Sequence, residues 1–268
     1  MKKRLSTPLL VSVALAVGAS FLGAHDLFIK MESYFLAPNA PVTVTIINGT
    51  FMQSENSISP DRVQDVSVVV DGRRTELGMD GWRAETDTTY LDMRTGEAGT
   101  YVLGVSSIPR TLGLDGIDFN EYLAVDGIPD MLIERARDRE LDTEAWEEYS
   151  KHIKAVLQVG DRRTGGLDVI LGYPAELMPL VNPYDLSVGD EMVVRALVDG
   201  EPVAGQLVLV GGDGDMAATE GRTDAEGVFR FTLDAPGRWY AKFINMRKTD
   251  REGLTHESKW ATLSFEIR

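Results

Sequence analysis

The sequence contains no cysteine, which excludes disulfide staples, thiolate metal sites, thiol nucleophiles and a lipid anchor on a cysteine. Histidine is almost as scarce: His25, His152 and His256 are the whole supply in 268 residues. Basic residues are outnumbered, with 27 Lys and Arg against 42 Asp and Glu and a formal net charge of −15. That excess repels phosphate backbones, and no Lys- or Arg-rich run follows the first few residues, so nucleic acid is excluded as a partner. No apolar run reaches the roughly 20 residues that a membrane-spanning helix needs.

Catalytic signatures are missing as well. Gly104-Val105-Ser106-Ser107-Ile108 fails the last position of a G-x-S-x-G nucleophile elbow. His256-Glu257-Ser258-Lys259-Trp260 carries Trp260 where a zinc protease needs its second His. Gly211-Gly212-Asp213-Gly214-Asp215 follows a predicted strand but opens no helix, and its acidic spacing is not that of a calcium loop. No catalytic residue is assigned, and the chain reads as a binding protein, not an enzyme.

What is present begins with an export signal. Met1-Lys2-Lys3-Arg4 precedes an apolar run over residues 9–24 that is too short to span a bilayer and ends in the small residues Gly23 and Ala24. Cleavage is predicted before His25. Residues 1–24 hold three basic and no acidic side chains, so the mature chain carries −18. The expected location is the bacterial periplasm, free of the membrane after cleavage.

The remainder is patterned as mainly β. Val42, Val44 and Ile46 alternate with Thr43 and Thr45, residues 66–70 are β-branched, and Asp71-Gly72 stops them. The second half repeats this habit over 191–198, 206–210, 228–233, 239–244 and 261–267, punctuated by Asp199-Gly200, Glu226-Gly227 and Pro236-Gly237. Short strands with such punctuation predict two immunoglobulin-like β-sandwich domains, 25–180 and 181–268, divided near Pro179 to Pro183. A helical insertion in the first is predicted over about 116–153. Ile128, Met131, Leu132 and Ala136 give one helical stripe. Trp146, Tyr149 and Ile153 give a second, with Asp142 as its cap and His152 as a structural residue.

Several segments together carry a resemblance: Ala24-His25-Asp26-Leu27, Asn120-Glu121-Tyr122-Leu123-Ala124, Glu134-Arg135, Gln158-Val159-Gly160-Asp161, Leu171-Gly172-Tyr173-Pro174-Ala175-Glu176 and Thr223-Asp224-Ala225-Glu226-Gly227. The chain resembles an exported bacterial family of unknown function associated with periplasmic nickel and cobalt transport. Its C-terminal part is similar to the carboxypeptidase-regulatory type of β-sandwich, which is usually non-catalytic. The resemblance implies an accessory role beside a metal-uptake transporter of the inner membrane.

The metal ligands expected on that reading are His25, His256 and Asp26. Cleavage before His25 frees an α-amine that chelates one divalent ion together with the imidazole, an arrangement suited to nickel or copper(II), with cobalt implied by the resemblance. His256 or Asp26 completes the shell. The competing expectation is a non-catalytic protein- or glycan-binding module, for which Trp82, Tyr184 and Trp239 beside Tyr240 are the candidate surface aromatics, although such side chains in sandwiches are more often core or corner residues.

Overall fold

A computed structural model describes residues 25–214, 216 and 218–268. The export signal over 1–24 lies outside the described residues. The chain is mainly β, built as three sheets with two α-helices among the described residues. Ten strands form the middle sheet. Its main path runs Thr219–Arg222, Leu207–Gly212, Gly237–Lys248, His256–Ile267, Ala145–Val159, Gly99–Ser107, Val63–Val70 and Arg73–Glu76. Phe35–Leu36 and Arg110–Leu114 also pair with Ala145–Val159.

A four-stranded sheet covers each side of the middle one. Asp26–Ile29, Pro41–Gly49, Thr89–Arg94 and Trp82–Ala84 form the first; Ala175–Pro179, Glu191–Val198, Glu201–Pro202 and Val228–Thr232 form the second. Side-chain alternation along a strand fixes the two sides. The Thr262 and Ser264 hydroxyls donate to the carbonyls of Leu27 and Ile29 in the first sheet. Ser264 pairs with Ala155, so Lys154 faces the opposite way, where it meets Glu176 of the second sheet.

Ala145–Val159 and His256–Ile267 run parallel from Glu147 beside His256 to Ala155 beside Ser264. The middle sheet is therefore continuous across Pro179 to Pro183, and one apolar core reaches from Leu27 to Ile267. Pro183–Asp185 forms a single 3-10 turn there, capped by the Asn182 side chain.

The helical insertion is shorter than expected. Helices cover Gly116–Val125 and Pro129–Asp138 only, whereas Trp146, Tyr149 and Ile153 belong to the long Ala145–Val159 strand and Asp142 sits in the turn before it. The same residues also fit period two, with Ala145, Glu147, Tyr149, Lys151, Ile153 and Ala155 on one side. Pairing with strands on both flanks outweighs the local helical stripe. The correction leaves the insertion inside a hairpin, because Leu114 and Ala145 on either side of it are register partners.

Asp115 starts the first helix by accepting the Asp118 N–H at 2.9 Å. Asp115→Ala is expected to cost about 1 kcal/mol, read as a lower thermal midpoint. Buried Arg135 ties the layer together, donating to Asn120 of the first helix at 3.0 Å and to the Glu140 and Thr143 carbonyls at 2.7 and 2.8 Å.

Candidate functional site

His25 stands ahead of the Asp26–Ile29 strand with its imidazole partly exposed and Nδ1 3.6 Å from the Glu55 carboxylate. Its carbonyl accepts from the Lys151 ammonium. Lys151 is buried, its ammonium 4.6 Å from the centroid of the Trp260 ring and 5.4 Å from that of Tyr149. The start of the predicted mature chain is thereby pinned to the middle sheet while its ring faces outward.

Asp26 lies beside His25, but its carboxylate is bonded to the Lys242 ammonium at 2.5 Å. His256 is elsewhere. It is buried under the first helix, its ring 4.8 Å from that of Phe119 and its Nδ1 sharing a 2.7 Å hydrogen bond with the Thr255 hydroxyl. Burial, reinforced by the Arg135 charge, pushes its pKa down to about 4, so the ring is neutral at pH 7. Lys151, which holds His25, pairs with Trp260, four residues along the strand from His256, or roughly 13 Å at strand rise. His25 and Asp26 are chain neighbours whose side chains go to different partners, Glu55 and Lys242, and His256 lies apart from both. Among the described residues no three His, Asp or Glu side chains form a group that could hold a metal ion. Glu55, which sequence reasoning did not single out, is the acidic neighbour of the His25 ring.

His152 is structural, as expected, although on a strand. Its two ring nitrogens are each 2.9 Å from a hydroxyl, Ser106 on one side and Ser150 on the other. The Ser106–His152 contact is sealed from solvent, with both residues at most 2% exposed, and offers no access to a substrate.

Next to the pinned terminus lies a cluster that sequence reasoning missed. Glu147 and Lys151 from one strand, Lys242 from another, Asp26 from the first strand and Asp126 at the end of the first helix gather between the N-terminal sheet and the helices. Glu147 accepts from the hydroxyls of Tyr122, at 3.1 Å, and Ser258. Burial raises Glu147 to about 7 and Asp126 to about 7, and lowers Lys151 to about 8. Buried groups with such shifts mark candidate functional regions. On the predicted helix Glu147 and Lys151 fall near opposite ends and match the helix dipole; the Ala145–Val159 strand turns them inward instead.

The candidate tryptophans and Tyr184 lie in the core, the commoner place for such side chains in sandwiches. Trp82, Tyr184 and Trp239 are buried and donate to the carbonyls of Ile58, Val156 and Ala235, while Tyr240 packs on Phe28 and Phe51. Trp146 is instead the exposed tryptophan, at 44%. Its ring lies across Gly113, where a Cβ would meet it at 2.9 Å.

No curated protein matches the chain. Among solved structures, the D0-D1 domain of intimin is 10% identical, with 90% of this chain and 97% of that chain covered and a TM-score of 0.21. A DUF4785 family protein from Legionella pneumophila is 12% identical over 80% of this chain and 50% of that one, with a TM-score of 0.25. Trypsin-activated alpha-2-macroglobulin from Escherichia coli is 9% identical over 91% and 16%, with a TM-score of 0.21. Likeness at this level leaves both fold and function to be argued from the chain itself. The family comparison reaches further: residues 22–247 match the domain of unknown function DUF4198, and the chain belongs to that family.

Proposed function

We propose that the protein is exported, loses residues 1–24, and serves in the periplasm as a non-catalytic binding protein for one divalent metal ion. Nickel, cobalt or copper(II) is the cargo, held in support of uptake through an inner-membrane transporter. Residues 25–180 and 181–268 act as two immunoglobulin-like sandwiches fused through the middle sheet, the second of the carboxypeptidase-regulatory type. One observation carries the reading: His25 is pinned by its carbonyl to Lys151 while its Nδ1 faces the Glu55 carboxylate 3.6 Å away. Cleavage before His25 adds an α-amine next to that imidazole. Amine, imidazole and carboxylate make a mixed nitrogen and oxygen set suited to these ions. Asp26, engaged by Lys242, positions the terminus and leaves the ligand set, as does His256 beneath Phe119.

The test begins with N-terminal sequencing of protein recovered from the periplasm, expected to start at His25. Calorimetric titration with Ni(II) and Cu(II) follows. His25→Ala is expected to abolish tight binding, and one residue added before His25 to weaken it about 100-fold or more, since even an outer-shell partner is worth 10–100-fold. Glu55→Gln is expected to weaken it about 10-fold. Both nitrogens bind metal only when free of protons, so affinity falls with acidification. Undiminished affinity of the extended protein would overturn the terminal chelate.

A second reading has the exposed Trp146 ring behind it. A flat indole with one open side is a stacking surface for a glycan or a partner loop. Trp146→Ala would then remove binding to an oligosaccharide panel and leave metal titrations unchanged.

A further inference from the structure

The two helices form a layer with a core of its own. Phe119, Leu123 and Met131 pack there with Ile244 and Trp260, separate from the main core. The layer leaves the sheet at Leu114 and returns at Ala145, which are paired, so its two ends are tethered at one place. Such an insertion can lift without unpairing any strand, once the ion pairs of Asp130 with Arg222 and of Asp138 and Glu140 with Lys248 part.

Between the two cores runs the band of buried charge. Five polar atoms in or beside it are buried without a hydrogen-bond partner: Asp26 Oδ1, Arg62 Nε, Asp126 Oδ2, Glu147 Oε2 and His256 Nε2. A buried group left in that condition costs about 1–3 kcal/mol. Water supplies the missing partners once the layer lifts, so closure is opposed at the place where the layer meets the rest of the protein.

We propose that the Gly116–Asp138 layer is a lid, closed while Glu147 and Asp126 hold their protons and lifted when they ionise, uncovering the Trp260, Tyr149 and Lys151 side of the sheet. Glu147 belongs to the sheet and touches the lid through the Tyr122 hydroxyl, whereas Asp126 belongs to the lid itself. Ionisation of both places like charges on opposing surfaces, with Asp26 of the N-terminal strand adding a third. Lys242 and Lys151, from two strands of the sheet, oppose this by attracting Asp126. Arg62 faces Lys151 from the turn before the Val63–Val70 strand. From the second helix, the Arg135 charge bears on His256, which stays neutral near pH 7. Burial is the largest influence on both carboxyls and sets their transition at about 7. The charged forms favour water, so the lid opens as pH rises through that value and closes below it. Neither Glu147 nor Asp126 bonds to His25 or Glu55; the lid and the metal reading share Lys151, which holds the His25 carbonyl, and the lid's test reads no metal.

The experiment is hydrogen exchange on the full chain at pH 6 and pH 8, with rates corrected for intrinsic base catalysis. Amides of 116–138 are compared with those of Gly237–Lys248 and His256–Ile267. In the native protein, protection of the lid is expected to fall about 10-fold between the two pH values while the strands hold. Glu147→Gln combined with Asp126→Asn should keep lid protection flat. Should the double variant lose its circular dichroism signal, Asp126→Asn alone is read instead and should reduce the fall. An unchanged fall in the variant, or loss of lid and sheet protection together, would overturn the proposal.

Discussion

Glu176→Ala is expected to abolish cooperative folding at 25 °C. Glu176 is 1% exposed and accepts the N–H groups of Leu171, Gly172 and Tyr173 at 3.0, 2.8 and 3.0 Å, together with the Lys154 ammonium. Removing it strands a buried cation, which costs about 3–5 kcal/mol. Three backbone donors lose their acceptor as well, at about 1–3 kcal/mol each where water does not reach them. A total of about 6 kcal/mol or more rivals the 5–15 kcal/mol by which domains are usually stable. Lys154→Met is the informative contrast. It removes the cation, leaves the carboxylate on its three N–H donors, and should yield a folded protein weakened by about 3 kcal/mol. Urea denaturation followed by circular dichroism reads both. A Glu176→Ala protein within 2 kcal/mol of the native one would show that water replaces the lost partners. Lys154 lies on the middle sheet and Glu176 on the Ala175–Pro179 strand of the second four-stranded sheet, so this contact holds those two layers together.

How far the fold could be read from sequence depends on the range of the interactions that decide it. The alternation of Val42, Val44 and Ile46 falls within Pro41–Gly49, and Asp71-Gly72 and Asp199-Gly200 are turns with positive φ at all four residues. Local rules suffice for these. Ala145–Val159 is different: its sequence fits both periods, and the deciding partners lie as much as 110 residues away, as with the Lys154 carbonyl that accepts from Ser264. The error then spreads, since Glu147 and Lys151 match the dipole at the ends of a helix and are buried on a strand. The candidate site shows the same division. His25 and Asp26 were legible from position, next to a predicted cleavage point. Glu55, Lys151 and Lys242 were not, because only folding brings them to the first strand. Trp82, Tyr184 and Trp239 follow the commoner habit of such side chains in sandwiches: each finds a distant or looped-back carbonyl for its polar atom, which lets the ring stay inside.

Acidification should destabilise the native protein in part through His152, and His152→Gln should lose less. The ring is 1% exposed, and burial, aided by the Lys259 charge, pushes its pKa from 6.5 down to about 3. A base with a lowered folded pKa is held neutral by the fold. Its contribution is complete above pH 6.5 and is lost as pH falls toward 3, because the unfolded chain takes up the proton that the folded chain refuses. The slope approaches 1.4 kcal/mol per pH unit, so by pH 4 about 3 kcal/mol has gone. His256, lowered to about 4, adds a second acid-sensitive loss, whereas Glu147 and Asp126, raised to about 7, gain stability over the same interval. The native curve alone is therefore a sum of opposing slopes. The difference between native and variant isolates one of them. Gln does not titrate, and its amide offers a donor and an acceptor to Ser106 and Ser150, the hydroxyls that hold the imidazole at 2.9 Å on either side. Imperfect geometry should cost His152→Gln about 1 kcal/mol at pH 8. Below pH 6 its deficit should shrink, and near pH 4 the variant should be the more stable by about 2 kcal/mol. Urea midpoints at pH 8, 6 and 4 decide the matter. A constant deficit across all three would mean that the folded protein accepts a proton on His152 as readily as the unfolded chain does.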